Sequence, residues 1–176
     1  MCNISVEKCL QPTKIQGVFS DRTFFITTNT WQRLPIFRDG TRASLLVEVL
    51  LHYRAESKYL LHEFVVMPDH FHALLTPARE VSLERAVQFI KGGFSFRLKS
   101  RMPVWQPSFT NHRVRDVEDL ESHRQYIWFN PVRAKLVSRP DDYPYTSARE
   151  DFVRDPIPGD QGTGAEAQSL ETLTRA

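Results

Sequence analysis

An α+β sandwich is the fold class that this 176-residue chain predicts: one antiparallel sheet with helices on one face, plus an added helix. Three observations predict it. β-branched and aromatic runs recur at residues 23–29, 59–67 and 70–75. Apolar residues at i, i+3/i+4 spacing fill the stretches between and after them, at 41–53 and 82–100. A segment of extended character at 104–115 then precedes one more helical stretch.

Taken in order, residues 1–20 have mixed polarity and little periodicity and read as a loosely organised lead-in. The first strand is Thr23-Phe24-Phe25-Ile26-Thr27-Thr28-Asn29. After a loop with Pro35 and Gly40, Thr41 is suited to cap a helix carrying Leu45, Leu46, Val49, Leu50 and Tyr53 on one side. Residues 59–67 form a second strand. Pro68-Asp69 makes a tight reversal, and a third strand runs from His70 to Leu75. Ser82 opens a long helix with Leu83, Ala86, Val87, Ile90, Phe94 and Leu98 along one side. Gly92-Gly93 inside it costs roughly 1 kcal/mol per Gly relative to Ala, so a kink or a close backbone approach is expected there. Asp116 caps the next helix, whose first-turn Glu118 and Asp119 complement its dipole. That helix is expected to end at Asn130, because the residue before Pro131 disfavours the helical region. Pro131 then opens a short helix through Val137, and residues 141–148 pack back as a cover. The order strand, helix, strand, strand, helix, strand is that of a ferredoxin-like sandwich, with the helix of Tyr126 added afterwards. The domain is set at residues 21–150, and residues 151–176 read as an acidic, disordered tail.

Charge is uneven along the chain. Residues 1–149 carry 21 Lys and Arg against 15 Asp and Glu, whereas residues 150–176 carry 2 against 6. The folded part is therefore basic, which suits a polyanionic partner. Cys2 and Cys9, with six residues between them, form neither a zinc knuckle nor a disulfide framework. No apolar run approaches the roughly twenty residues of a membrane span, and no signal-peptide core opens the chain. A cytoplasmic location is the expectation.

The chemistry concentrates in Met67-Pro68-Asp69-His70-Phe71-His72. Alternate residues of a strand share a face, so His70 and His72 project together and make half of a divalent-metal site. A buried structural pair is the plainer alternative. On the helix that follows, Val117, Leu120, Ile127 and Trp128 form an apolar side, and Ser122, His123, Tyr126 and Asn130 a separate polar one. Tyr126 and Asn130, four residues apart, offer a nucleophile and a ligand to one point. Asp69 can orient an imidazole, besides its plainer use as a turn residue. His123 stands one turn before Tyr126.

These pieces resemble the REP-associated tyrosine transposases, a branch of the single-tyrosine HUH transposases of insertion elements. The resemblance runs through Met67–His72, Trp105-Gln106-Pro107-Ser108-Phe109 and Arg113-Val114-Arg115-Asp116. It continues through Tyr126-Ile127-Trp128-Phe129-Asn130-Pro131-Val132-Arg133-Ala134 and Asp142-Tyr143-Pro144-Tyr145-Thr146-Ser147-Ala148. It implies that His70 and His72 are the HUH pair, Tyr126 the catalytic tyrosine and Asn130 the third metal ligand, where insertion-element relatives have Gln. Lys135 stands where the family pattern has Gly. The implied reaction nicks and rejoins single-stranded DNA at palindromic REP-type hairpins through a 5′-phosphotyrosine. The implied cofactor is a divalent ion, Mg²⁺ or Mn²⁺. Lys91, Arg97, Lys99, Arg101, Arg113, Arg115, Arg133 and Lys135 are the candidate DNA contacts, with Trp31, Trp105 and Trp128 as stacking faces. A nucleoid-associated, bacterial-type monomer is implied, with the dimer of the insertion-element enzymes as the alternative. A hairpin-binding module that has lost cleavage is the rival function. A His-x-His metallohydrolase ranks lower, because Ala73 and Leu74 follow where a further ligand is wanted.

Overall fold

The computed structural model describes residues 22–157. Four strands, β1 (Phe24–Asn29), β2 (Tyr59–Met67), β3 (His70–Pro77) and β4 (Thr110–Arg113), lie in the order β2-β3-β1-β4. Every neighbouring pair is antiparallel. β1 and β2 therefore run in the same direction with β3 inserted between them, which is the ferredoxin-like arrangement. The two helices that follow β1 and β3, α1 (Gly40–Ala55) and α2 (Leu83–Leu98), share one face of the sheet. There Ile26, Phe64, Val66, Phe71, Ala73 and Leu75 meet Leu46, Val49, Leu50, Val87, Ile90 and Phe94. Each such buried side chain contributes roughly 1.5–3 kcal/mol of burial free energy.

The added helix, α3 (Val117–Arg133), takes the opposite face. Its Leu120 and Ile127, with Tyr143, close over Val65, Met67 and Leu74. Helices on both sides explain why all nine residues of β2 are buried and why its sequence does not alternate. Residues 143–147 cover the outer edge of β2 as expected, with Val66 N–H donating to Tyr145 O and Ser147 N–H to Phe64 O. No helix among the described residues is long and apolar enough to cross a membrane.

Several boundaries differ from expectation for local reasons. α1 is capped by Asp39, whose carboxylate accepts from Thr41 N, so Thr41 lies inside the helix. α3 runs through Pro131 to Arg133 as one helix, and no separate helix opens at Pro131. Proline costs a helix one N–H, but here only a single turn remains beyond it. The end is then closed by Lys135 N–H to Val132 O and Leu136 N–H to Pro131 O, a Schellman pattern. The expected strand over 104–115 divides in two. Trp105 bridges Thr30 beyond the end of β1, and only residues 110–113 pair as β4. The tail boundary at 150 also moves. Phe152 and Asp155 are buried, and the Asp155 carboxylate receives Arg54 Nε at 2.9 Å and Leu61 N at 2.8 Å. Arg54 is itself fully buried, so the fold needs that carboxylate. The lead-in at 1–20 and residues 158–176 lie outside the described residues.

The glycine pair has unequal halves. A Cβ on Gly93 meets Tyr53 Cε2 at 2.5 Å, whereas a Cβ on Gly92 meets nothing within 4 Å. Gly93 is therefore the close approach between α2 and α1, with the Tyr53 ring lodged against Phe89. Gly93→Ala is expected to cost about 1–3 kcal/mol through overpacking. Gly92→Ala is expected to stabilise by about 0.5–1 kcal/mol. Paired denaturant titrations check the opposite signs.

Candidate active site

β3 supplies both imidazoles at its N-terminal end, where Asn29 of β1 pairs with His70 and Thr27 with His72. Both rings lie on the face that α3 covers. The Asp69 carboxylate accepts from His70 Nδ1 at 2.6 Å, and because a carboxylate only accepts, that nitrogen carries the proton. His70 Nε2 is therefore a bare lone pair. It faces His72 Nε2 at 3.1 Å. His72 Nδ1 in turn meets Thr27 Oγ1 at 2.7 Å, a hydroxyl that donates or accepts as needed.

This pair fits a divalent ion. When Thr27 accepts from His72 Nδ1–H, both Nε2 lone pairs point at one spot, and a 3.1 Å separation is that of two ligand atoms sharing a metal. Partners on the far ring nitrogens fix tautomer and ring orientation in such sites. Burial, partly opposed by Asp69, lowers the pKa of His70. Burial, with smaller contributions from the His70 and Arg33 charges, lowers that of His72 to about 3. Both rings are thus kept in the neutral form that binds metal.

α3 brings Tyr126 to this pair. The Tyr126 ring lies 5.2 Å from His72, centroid to centroid, and meets it edge-on at 74°. Phe25 fills the corner, in contact with His72, His123 and Tyr126. Tyr126 remains 40% exposed, open to a strand arriving from solvent. Asn130 is half-buried one turn further along the same side of α3. Arg133 places its guanidinium 5.5 Å above the Tyr126 ring. His123 Nδ1 bonds to the Asp119 carbonyl at 2.7 Å and touches Phe25, not Tyr126 directly.

The basic set divides. Arg115, Arg133 and Lys135 are exposed on the β4–α3 side, whereas Arg113, exposed on β4, pairs with Phe24 and shares its face, that of α1 and α2. Arg97, Lys99 and Arg101 are exposed at the end of α2, in the other helical layer. Lys91 is tied down, its Nζ donating to Gln106 O at 2.6 Å and Pro107 O at 3.3 Å. It fastens the loop that carries Trp105, whose indole Nε1 donates back to Lys91 O. Trp105 is buried in the core, and Trp128, its N–H bonded to Glu63, carries the Arg154 guanidinium 5.2 Å over one face.

Sequence reasoning passed over Arg33, Thr27 and Phe25. Arg33 Nε pairs with Asp69 Oδ2 at 2.8 Å, so one carboxylate joins Arg33 to His70. Gln32 and Arg33 hold φ values of 50° and 58°, two consecutive left-handed residues beside the site. Thr30 secures this turn by donating from both N and Oγ1 to Asp69 O. Thr27 and Phe25 become recognisable only once the β1–β3 register is known.

Lys135 sits at the αL position that closes α3, with φ 57°. That conformation explains why the resemblance has glycine there. Lys135→Gly is expected to raise stability by about 0.5–1 kcal/mol, since a side chain in αL costs more than glycine's extra chain entropy. If Lys135 touches DNA, the same change weakens hairpin binding while raising the melting temperature. Thermal denaturation and filter binding read the two effects separately.

Comparison with known proteins adds the following. The family described as "Transposase IS200 like" matches residues 21–129. A REP-associated tyrosine transposase of Escherichia coli (strain K12) is 27% identical over 139 residues, which is 78% of this chain and 83% of the relative. A Haemophilus influenzae relative is also 27% identical, over 148 residues, 72% of this chain and 84% of its own length. A solved structure titled as a REP-associated tyrosine transposase bound to a REP hairpin superposes with a TM-score of 0.65. It is 22% identical, and the match covers 94% of this chain and all of the other. That likeness establishes the shared fold.

Proposed function

Because the chain belongs to the IS200-like transposase family, we propose that it nicks and rejoins single-stranded DNA at palindromic, REP-type hairpins through a 5′-phosphotyrosine. The observation that carries this reading is the contact of the Tyr126 ring with His72, whose Nε2 faces that of His70 at 3.1 Å. The relative bound to a REP hairpin supports the choice of substrate.

In this reading the Tyr126 oxygen forms a bond to the scissile phosphorus as the bond to the leaving 3′-oxygen breaks. The phenol gives up its proton and the 3′-oxygen gains one, so no net proton is consumed. Tyrosine has an ordinary pKa of about 10, so loss of that proton needs charge stabilisation nearby. His70 and His72, with Asn130 as third ligand, would hold Mg²⁺ or Mn²⁺. That ion would supply electrophilic stabilisation of a non-bridging phosphate oxygen and of the phenolate. Asp69 holds His70 in the ligating tautomer, and Thr27 can accept from His72 Nδ1–H in the ligating tautomer of that ring. Arg33, Arg113, Arg115, Arg133 and Lys135 provide cations for the DNA backbone. The phosphotyrosine conserves the phosphodiester free energy, so attack by a 3′-hydroxyl rejoins strands without a nucleotide cofactor. Tyr126 lies against the His pair of its own chain, which suits a monomer that completes one site unaided.

The test is a labelled single-stranded REP-type hairpin incubated with the protein and Mn²⁺, followed by denaturing electrophoresis. A covalent adduct is expected, and Tyr126→Phe should abolish it while hairpin binding persists. An adduct that survives the substitution would refute Tyr126 as nucleophile. Tight binding by the unaltered chain with no adduct would make it a hairpin-binding module.

A further inference from the structure

We propose that His112, Asp119 and His123 form a second cation site, for a transition-metal ion such as Zn²⁺, on the seam between β4 and α3. His112 comes from β4, opposite Phe25, and Asp119 and His123 from one side of α3 four residues apart. The three ligand atoms lie within 4.8 Å of one another. Each imidazole already lies near one oxygen of the Asp119 carboxylate. His112 Nε2 is 2.8 Å from Asp119 Oδ2, and His123 Nδ1 is 3.2 Å from Asp119 Oδ1. Metal bonds of about 2.0–2.1 Å at tetrahedral angles set ligands about 3.3 Å apart.

The rings themselves suit the purpose. They stack at 4.8 Å with an interplanar angle of 22°, so both present an edge to the same carboxylate. In the metal-free chain His112 Nε2 meets Asp119 Oδ2, whereas His123 Nδ1 donates to the Asp119 main-chain carbonyl at 2.7 Å, a bond that an ion would replace. A neutral imidazole carries its proton on either nitrogen, so shifting each proton to the far nitrogen turns both lone pairs inward. Asp119 is held in place beforehand, its N–H donating to Asp116 Oδ1 at 2.8 Å and its Oδ2 accepting from Arg115 N at 3.1 Å. The Arg115 side chain, 3.2 Å from the same oxygen and 73% exposed, is free to swing out when an ion takes over its charge. Hydrogen bonding from His112 above all keeps the Asp119 pKa low, at about 2, so the carboxylate stays ionised.

Two imidazoles and one carboxylate favour Zn²⁺, Co²⁺ or Ni²⁺ over Mg²⁺. The cluster is separated from His70 and His72 by Phe25, which stacks on His72 on one side and touches His123 on the other. An ion here bridges the first two turns of α3 to β4, one turn before Tyr126. It would stiffen the helix that carries that residue, and the site stands whatever reaction the chain catalyses.

The experiment titrates full-length chain with Zn²⁺ calorimetrically in a Cys2→Ser/Cys9→Ser background, which removes the thiols as competing ligands. In a His70→Ala/His72→Ala version, one equivalent of Zn²⁺ is expected to remain, with a rise in melting temperature. His112→Gln/His123→Gln, which keeps hydrogen-bonding side chains at both positions, should weaken that equivalent at least tenfold and cancel the rise. Co²⁺ in place of Zn²⁺ should give visible absorption bands that follow the same pattern. Absence of Zn²⁺ binding in the His70→Ala/His72→Ala protein, or its persistence in the His112→Gln/His123→Gln protein, would overturn the proposal.

Discussion

His72→Ala is expected to lower metal-dependent cleavage of a REP-type hairpin by about three orders of magnitude, while hairpin binding changes little. Electrophilic stabilisation by a bound ion is worth several kcal/mol, and each 1.36 kcal/mol is a factor of ten in rate. Asp69→Ala leaves both ligands present but releases the proton that Asp69 fixes on His70 Nδ1 and unties Arg33, so a loss of about 10–100-fold is expected. Raised Mn²⁺ should recover part of the Asp69→Ala loss and none of the His72→Ala loss. Undiminished cleavage by His72→Ala at saturating Mn²⁺ would remove the histidine pair from the mechanism.

The pH dependence carries a sign. His72 has its pKa depressed from 6.5 to about 3, chiefly by burial. It therefore stays a neutral ligand as pH falls below 6.5, and because burial lowers the His70 pKa as well, the acid limb of cleavage should lie below that of a free histidine. In the metal-free chain the linkage runs the same way. The unfolded chain takes up a proton near 6.5 that the native site refuses, so this contribution to stability is complete above 6.5 and is lost as pH falls toward 3. Chelation should stop cleavage without unfolding the protein, because Asp69 and Thr27 hold the rings. Circular dichroism with and without chelator checks this.

The order of elements was legible because each depends on local pattern. A β-branched and aromatic run marks β1, period three to four marks α1 and α2, and Asp116 and Ser82 cap as expected. The His70-x-His72 spacing was readable for the same reason, since a strand puts alternate residues on one face. What fixes those imidazoles was not readable. Thr27 is 45 residues from His72 and meets it only through the β1–β3 register. Arg33 reaches Asp69 because of two left-handed residues that no local signal announces. Lys91 illustrates the converse. A lysine near others on a helix suggests a DNA contact, yet its partners are two loop carbonyls visible only in three dimensions. The early tail boundary has the same origin. Asp155 lies in an acidic stretch that suggests disorder, and its partner Arg54 is 101 residues away.

One sequence signal passed over was Glu63, a charge beside His62 in the middle of a strand that is apolar at its other seven positions. Its side chain is fully buried and every lone pair has a donor. Oε1 accepts from Arg124 Nε at 3.1 Å and Arg154 Nε at 2.7 Å. Oε2 accepts from Trp128 Nε1 at 2.8 Å and Ser147 Oγ at 2.6 Å. Arg124 and Trp128 flank Tyr126 on α3, so this one carboxylate ties the middle of that helix to β2. Glu63→Ala removes the acceptor of Arg124 Nε, Arg154 Nε and the Trp128 indole N–H, leaving the two cations only Glu121 and the Ser147 carbonyl, and the expected loss is roughly 3–5 kcal/mol. At about 2–4 °C per kcal/mol for a chain of this size, the melting temperature should fall by about 6–20 °C. Glu63→Gln should fare little better, because an amide turns an N–H₂ toward donors and withdraws the charge that Arg124 and Arg154 face. Thermal and urea denaturation would read the loss, and a change below about 1 kcal/mol would mean that the network contributes no more than exposed ion pairs do. Among proteins still folded at low temperature, Glu63→Gln should keep Mn²⁺ binding at His70 and His72, whose partners are elsewhere, yet form the tyrosine adduct more slowly. That separation identifies Glu63 as positioning the helix and not the metal.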